Sequence, residues 1–159
     1  MLKPNMIFKG ASVAPLVVAK IRAFVKSAGS CEIGGAMVGF ESKDGRLIIT
    51  DIAGPGPKGK CLPFNVMIDG EHSQNFCDQA HRRSNGLWDF VGDWHCHPSF
   101  LIRPSEGDQQ AMKLLADTPK MPLRLVSLIY SSWTGRFRLY QWCRSEQRLL
   151  PVPMRSFER

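Results

Sequence analysis

Apolar positions near the start of the chain recur with the spacing of an amphipathic helix. Within residues 13–28 they fall at Val13, Leu16, Val17, Ile21, Phe24 and Val25. This spacing places one apolar stripe along a helix. Ser12 can cap its start, Pro15 is tolerated in its first turn and Gly29 can end it. We therefore predict a helix over 13–28.

Two apolar runs and a loop follow this helix. Residues 32–40 and 45–52 favour strands, and Asp44-Gly45 between them is a hairpin turn signal. Segment 53–63 contains three prolines, which cannot donate to a strand ladder, so we predict a loop there. Residues 64–68 predict a further strand.

The second half of the chain predicts two more helices. Residues 71–84 favour a helix that ends near Gly86, and another starts at Ser105 and runs to about Asp117. Four residues of the latter are expected to face inward: Ala111, Met112, Leu114 and Leu115.

Three strands complete the pattern. They are predicted over 89–96, 123–132 and 136–144, the last two forming a hairpin joined at Thr134-Gly135. Strands and helices are mixed without strict β-α-β alternation. The pattern therefore indicates an α/β protein of the α+β kind, with a mixed sheet flanked by helices.

Length and cysteine usage narrow the class of protein. A chain of 159 residues and 17.9 kDa fits one compact domain, taken as 1–159. No apolar run approaches the roughly 20 residues that a membrane helix needs, so we expect no membrane contact. Five cysteines, an odd number without a CxxC pair, argue against a disulfide framework and a thiolate zinc finger. The simplest compartment is a reducing cytoplasm.

The chain is basic, with a formal net charge of +7, and much of the excess lies after residue 100. Such an excess indicates either a solvated basic face or attraction to an acidic partner or nucleic acid. No aromatic RNA-binding motif or recognition helix accompanies it, so nucleic acid is not the expected partner.

The stretch 91–100, VGDWHCHPSF, holds two of the four histidines. On a strand His95 and His97 point to one face and Cys96 to the other. Two imidazoles placed in this way can converge on one cation, and neutral imidazole nitrogen is a preferred zinc ligand. Pro98 ends the strand, which would put the pair at a sheet edge. Taken alone, the two histidines fit an ordinary core or surface position as well as they fit a metal site.

A catalytic zinc site usually has three protein ligands and one open position. Asp108, at the start of the predicted helix, is the candidate third ligand. Ser105-x-x-Asp108 also has the pattern of a capping box, in which the serine bonds the Asp108 N–H and the acid complements the helix dipole. The two interpretations are compatible, because a capped helix start is a rigid base from which to direct a carboxylate at a metal.

Hydrolysis at such a site needs a carboxylate that takes and returns a proton. Glu32 starts an otherwise apolar, glycine-rich strand. On its own it is either a solvent-facing end residue or a functional acid.

The residues together resemble the JAMM (MPN+) metalloprotease signature: Glu32-x-x-Gly35, then His95-Cys96-His97-Pro98, and then Ser105-x-x-Asp108, with seven residues between His97 and Ser105. Cys96 stands where Ser or Thr is usual. The resemblance covers residues 12 to 143 and implies the single-domain JAMM/MPN, cytidine deaminase-like fold. It implies Zn²⁺ held by His95, His97 and Asp108, Glu32 as general acid/base, and Ser105 as hydrogen-bond donor to the oxyanion.

The implied reaction is hydrolysis of an amide or isopeptide bond after the extended C-terminal tail of a ubiquitin-like protein. The sequence of residues 91–112 more narrowly resembles the sequences of the bacterial JAMM deconjugases of CBASS antiphage operons, the integrative and conjugative element protein family. That group implies a cGAS-like nucleotidyltransferase conjugate as substrate. Two alternatives stay open: a JAMM peptidase processing a sulfur carrier or other ubiquitin-like protein, and a non-catalytic or DNA-associated JAMM-like protein.

Overall fold

The computed structural model describes residues 6–155, in which nine strands and three helices are found. In chain order they are β1 (Gly10–Val13), α1 (Pro15–Ala28), β2 (Gly34–Glu41), β3 (Arg46–Ile52), β4 (Lys60–Leu62), β5 (Asn65–Met67), α2 (Gly70–Arg83), β6 (Asp89–His97), α3 (Glu106–Asp117), β7 (Val126–Ser131), β8 (Phe137–Cys143) and β9 (Arg148–Val152).

Seven strands form one mixed sheet in the order β1-β3-β2-β6-β7-β8-β9, and β4 and β5 form a separate hairpin. The pairs β1–β3 and β6–β7 are parallel, and the other neighbours in the large sheet are antiparallel. The predicted mixed sheet with flanking helices is therefore confirmed. None of the helices within 6–155 is both long and apolar enough to cross a membrane.

The sheet has an apolar cluster on each face. On one face Val17 and Ile21 of α1 pack in the same cluster as Trp94 and Leu128. On the other face α3 packs in a cluster that contains Ile129. Leu128 and Ile129 are neighbours on β7 and belong to different clusters, as the alternation of side chains along a strand requires. The helices α1 and α3 thus cover opposite faces.

The predicted start of the first helix was wrong. The helix begins at Pro15, and its N-cap is Ala14, which has no side-chain capping bond. Ser12 lies in β1, where it pairs with Ile48 of β3. Pairing with β3 holds this segment extended up to Val13, so the helix starts only where proline already has a suitable φ.

The predicted inward face of α3 was also partly wrong. Met112 and Ala116 are the buried residues of this helix, whereas Leu114 is 73% exposed and Ala111 is exposed as well. The helix meets the sheet along the stripe through Met112 and Ala116, which are four residues apart. Leu114 and Ala111 lie beside that stripe and face a groove described below.

Trp94 fixes the middle of β6 against the sheet. It is fully buried, its indole N–H donates to the carbonyl of Ala53 at 2.8 Å, and its ring lies 5.7 Å from that of Phe24 of α1. Since neighbouring residues on a strand face opposite ways, anchoring Trp94 on the α1 face directs His95 to the α3 face.

Replacing Trp94 by Phe should therefore lower the free energy of unfolding by about 1–3 kcal/mol, because the Ala53 carbonyl loses its donor inside the core. Urea denaturation would measure the change. The matched control is Trp133→Phe, at a residue that is 69% exposed, where we expect a change within about 0.5 kcal/mol. Equal effects at the two positions would contradict the anchoring role.

Candidate metal centre

The two histidines occupy the end of β6 and share one face of the sheet. Both are buried, at 6% and 8% exposure, and lie on the α3 side. Cys96 between them is buried in the cluster on the α1 side, as the strand alternation predicts. The thiol therefore faces away from the imidazoles.

The nitrogen and oxygen donors of three residues converge at this point. The Nε2 atoms of His95 and His97 are 3.1 Å apart. The Asp108 carboxylate lies 3.3 Å from His95 Nε2 through Oδ1 and 3.2 Å from His97 Nε2 through Oδ2. In a tetrahedral zinc site with bonds of about 2.0–2.1 Å, neighbouring ligand atoms are about 3.3 Å apart. The observed separations fit the edges of such a site.

The tautomer of His97 supports a shared cation. Its Nδ1 lies 3.1 Å from the carbonyl oxygen of Leu101, which can only accept, so Nδ1 must carry the hydrogen. In the neutral ring this leaves a lone pair on Nε2, which faces the carboxylate of Asp108 and His95. A lone pair facing a carboxylate is repulsive unless a cation lies between them. A backbone carbonyl behind the other ring nitrogen is the usual partner of a metal-ligating histidine.

Asp108 is held in place by the helix cap predicted from the sequence. The Asp108 N–H donates to Ser105 Oγ at 3.1 Å, and the Ser105 N–H donates to Asp108 Oδ2 at 2.7 Å. This reciprocal pair is a complete capping box at the start of α3. The cap and the convergence on the histidines occur together, so the two interpretations of this segment describe one arrangement.

The electrostatics of the group favour a charged Asp108. Burial opposes its ionisation, but hydrogen bonds from His95 and His97 outweigh this effect and hold the pKa of the carboxyl well below its ordinary value. For His95, burial favours the neutral ring, but Asp108, Asp93 and Glu32 together raise the pKa above its ordinary value of 6.5. Without a metal, these surroundings therefore favour a proton on His95.

Glu32 stands beside the histidines just before β2. The Cys96 N–H donates to the Ile33 carbonyl at 2.8 Å, which extends the antiparallel pairing of Gly34 with His95. This register places Glu32 opposite His97 and on its face of the sheet. Burial raises the pKa of the Glu32 carboxyl above its ordinary value, against the opposing effect of both histidines.

A groove of about 530 Å³ runs away from this group over the face of the sheet. Glu32, Asp93, His95 and Ser127 contribute to its floor, and Ser105 and Asp108 lie at the start of the α3 wall. Ala111 and Leu114 continue that wall, and four residues of the β4–β5 region form the other: Phe64, Asn65, Val66 and Ile68. The fold thus brings all five sequence-predicted site residues together: four line the groove, namely Glu32, His95, Ser105 and Asp108, and His97 contacts His95 and Asp108 beside it.

Two features of the groove were not predicted from the sequence. Residues 60–62 form β4 within the predicted loop, and with β5 they build the wall opposite α3. Asp93 was also missed as a floor residue. The signal was present, because Asp93 stands two residues before His95 and so shares its strand face.

Comparison with known proteins agrees with this fold. A family model described as prokaryotic homologues of the JAB domain matches residues 15–142. The match covers most of the chain, and the protein belongs to this JAMM-like family.

The curated relatives of this chain are named as isopeptidases or as a probable metalloprotease. A CD-NTase/cGAS isopeptidase of Escherichia coli (strain TW11681) is 31% identical over 96 residues, which are 59% of this chain and 61% of the relative. A protein of the same name from Vibrio cholerae serotype O1 is 28% identical over 105 residues, 66% and 67% of the two chains. A probable metalloprotease, y4qB, of Sinorhizobium fredii is 27% identical over 90 residues, 56% and 55%. The similarity thus spans about three-fifths of the length of the first relative.

Among solved structures, the solution structure of protein DSY2949 from Desulfitobacterium hafniense superposes with a TM-score of 0.69 over 94% of each chain at 18% identity. At this identity the likeness concerns the fold alone.

The metal-free protein should release protons when it binds a divalent ion such as zinc or cobalt. His95 must lose its proton to become a ligand, and its pKa is raised, so affinity should fall as the pH is lowered and begin to fall above pH 6.5. Calorimetry in buffers of different ionisation enthalpy would measure the released protons.

The same titration on His95→Ala should show a loss of affinity of more than about a hundredfold, since losing an outer partner alone costs 10–100-fold. His81→Ala is the matched control, because His81 is exposed on α2 and paired with Asp89 at 2.7 Å, away from the site. Binding that survives His95→Ala unchanged would rule out this metal centre.

Proposed function

We propose that this protein is a zinc-dependent isopeptidase that hydrolyses the amide bond after the C-terminus of a ubiquitin-like or cGAS-like nucleotidyltransferase conjugate. The observation that carries the proposal is the convergence of His95, His97 and Asp108, with Glu32 and Ser105 beside them. Among residues 6–155 these three ligand-type residues are the one group with ligand atoms all within 4.8 Å of one another.

The chain's residues fit the donor set of a catalytic zinc site. Two imidazoles and one carboxylate are a known three-residue set that leaves a fourth position for substrate or water. A zinc ion bound there supplies Lewis acidity that activates water and polarises the scissile carbonyl. The remaining chemistry falls to protein groups.

Glu32 is the group that moves protons. Its carboxyl lies on the histidine face, and its raised pKa brings it nearer to the range in which a carboxyl can take a proton from water and return it to the leaving amine. The N–H of Glu32 donates to the Leu62 carbonyl at 2.8 Å, which ties its backbone to the hairpin wall. The acid is therefore held by both β2 and β4.

Ser105 is positioned to stabilise developing charge on the carbonyl oxygen. Its Oγ accepts a hydrogen bond from the Asp108 N–H, so its own hydrogen remains to be donated elsewhere. The side chain is exposed at the groove, next to the metal ligand it caps. A donor placed in this way can bond the oxyanion of the tetrahedral intermediate.

The groove fits an extended peptide tail. It lies between the β4–β5 hairpin and α3, and its walls carry exposed apolar side chains, among them Phe64 at 92% exposure and Leu114 at 73%. Exposed apolar groups around a cleft favour contact with a partner. We infer that a C-terminal tail lies along this groove with its last residue at the metal.

The substrate class follows from the relatives as part of this proposal. Two of them are named CD-NTase/cGAS isopeptidases, so a CD-NTase, the cGAS-like nucleotidyltransferase of bacterial CBASS defence, is the expected conjugated protein. Its tail would enter the groove, and the amine released would belong to the target to which it had been joined.

Glu32→Gln should lower kcat for a CD-NTase conjugate by about 10²–10⁴-fold, the usual contribution of a positioned proton carrier. Zinc content should stay the same, because the three ligands are unchanged. The matched control, Glu106→Gln, alters an exposed acid in the first turn of α3 and should keep near-wild-type turnover. Full activity of Glu32→Gln would contradict the assigned role, and a zinc-loaded wild-type enzyme that leaves the conjugate intact would contradict the substrate.

Ser105→Ala should lose both a cap and an oxyanion donor. We expect about 1 kcal/mol lower stability from the cap and a separate fall of about 10²–10³-fold in kcat. Ser105→Thr keeps a hydroxyl and should restore both. Denaturation and turnover measured on the same samples would test this, and a loss of stability without a loss of kcat would leave Ser105 as a cap only.

A further inference from the structure

Asp93 is an acid on the groove floor that the proposed chemistry does not use. It pairs with Ala36 of β2 on one side and with Ser127 of β7 on the other, so it lies in the middle of the sheet. It stands two residues before His95, which is about 6.6 Å along the strand at 3.3 Å per residue. Its side chain therefore faces the groove, two residues along the strand from His95.

The carboxyl of Asp93 is incompletely satisfied. Its Oδ1 atom is enclosed and has no hydrogen-bond partner among residues 6–155. A buried acceptor without a donor is costly, more so when it belongs to a carboxyl group. The fold thus holds an acceptor at the groove without supplying its donor.

Asp93 is separate from the metal ligands. The group with ligand atoms all within 4.8 Å of one another contains His95, His97 and Asp108, and Asp93 is not among them. Trp94 beside it is fully buried on the opposite face of the sheet, so Asp93 lies on the face that carries the groove. Asp93 lines the groove, so a donor that enters the groove comes next to this side chain.

An extended chain lying in the groove brings donors of the required kind. Successive residues of an extended peptide are about 3.3 Å apart. A substrate whose scissile carbonyl lies at the metal therefore has its second residue from that bond near Asp93. The donor is either a main-chain N–H or the side-chain cation of a lysine or arginine, and both are N–H groups.

We propose that Asp93, with Ser127 beside it, forms a substrate subsite whose carboxyl accepts a hydrogen bond from an N–H donor of a residue within two positions of the scissile bond. This inference rests on the proposed function, because it needs a substrate that lies along the groove. It makes Asp93 a specificity residue and leaves the bond-breaking step to the groups around the metal.

The test uses a CD-NTase C-terminal peptide joined through its terminal carboxyl to an aminocoumarin reporter. In one series each of the three residues nearest the reporter amide is N-methylated in turn, where the linkage allows it. In the other, lysine or norleucine is placed at each of the same positions. The first series removes a main-chain donor, and the second removes a side-chain cation while keeping the four-carbon side chain.

Each peptide is measured with wild type and with two variants of Asp93. Asp93→Asn keeps an acceptor and loses the charge, whereas Asp93→Leu keeps the approximate size and loses the acceptor. Asp117→Asn, an exposed acid at the end of α3 outside the groove, is the matched control. Zinc content and circular dichroism of every variant show whether the ligands and fold are intact.

For wild type we expect one position at which removal of the donor raises KM, or weakens binding, about tenfold, because the enclosed Asp93 acceptor is then left without a partner. If the donor is main-chain, Asp93→Leu removes this sensitivity and Asp93→Asn keeps part of it. If it is a side-chain cation, the preference for lysine over norleucine disappears already in Asp93→Asn. The control keeps the full effect in both cases.

Failure of this inference can be told apart from failure of the proposed function. Turnover that responds equally to every peptide change in wild type and in both Asp93 variants overturns the subsite and leaves the isopeptidase intact. If zinc-loaded wild type cleaves none of the peptides, the proposed function fails, and binding of the same series to the Glu32→Gln protein then decides the subsite. If no peptide change in that binding series has an effect on affinity that depends on Asp93, the proposed subsite is overturned.

Discussion

The site depends on two lone-pair nitrogens and a carboxylate being held within 3.1–3.3 Å of one another. Without a metal ion or a proton between them these groups repel each other, so packing elsewhere must help to hold them together. The capping box fixes Asp108, and the Leu101 carbonyl fixes His97. A metal bound there would turn this repulsion into coordination, which is how metal binding and folding become coupled.

The burial of β6 explains how the sheet can hold such a cluster. Trp94 and Cys96 are packed on the α1 face. Because side chains alternate along a strand, Asp93, His95 and His97 lie on the α3 face. A slip of one residue in the pairing with β2 would move the imidazoles into the apolar cluster and the tryptophan into the groove. The hydrophobic core therefore sets the register of the polar site, although none of its residues takes part in the chemistry.

What could be predicted from the sequence was local, and what could not was set by tertiary contacts. The capping box needs only four residues and the orientation of His95 and His97 only a strand, so both were foreseen and observed. The short strands were harder. β4 lies in a segment rich in glycine and proline, and β9 contains Pro151, which is tolerated because β9 is an edge strand. Leu114 was assigned to the core because it is apolar, but it belongs to the groove wall.

The carboxyl groups of Asp108 and Glu32 suit different proposed roles because the fold gives them different environments. Asp108 faces both histidines and accepts a hydrogen bond from the Ser105 N–H, and its pKa is lowered, so it stays charged and suits a ligand. Glu32 is partly buried without such donors, and its pKa is raised, so it can hold a proton and suits an acid/base. Titratable groups whose environments push their pKa values apart are a basis for assigning acid and base roles. The chain is basic overall, yet around its two buried histidines the fold gathers acids in unlike surroundings, and this local contrast is what the proposed hydrolysis of an amide requires.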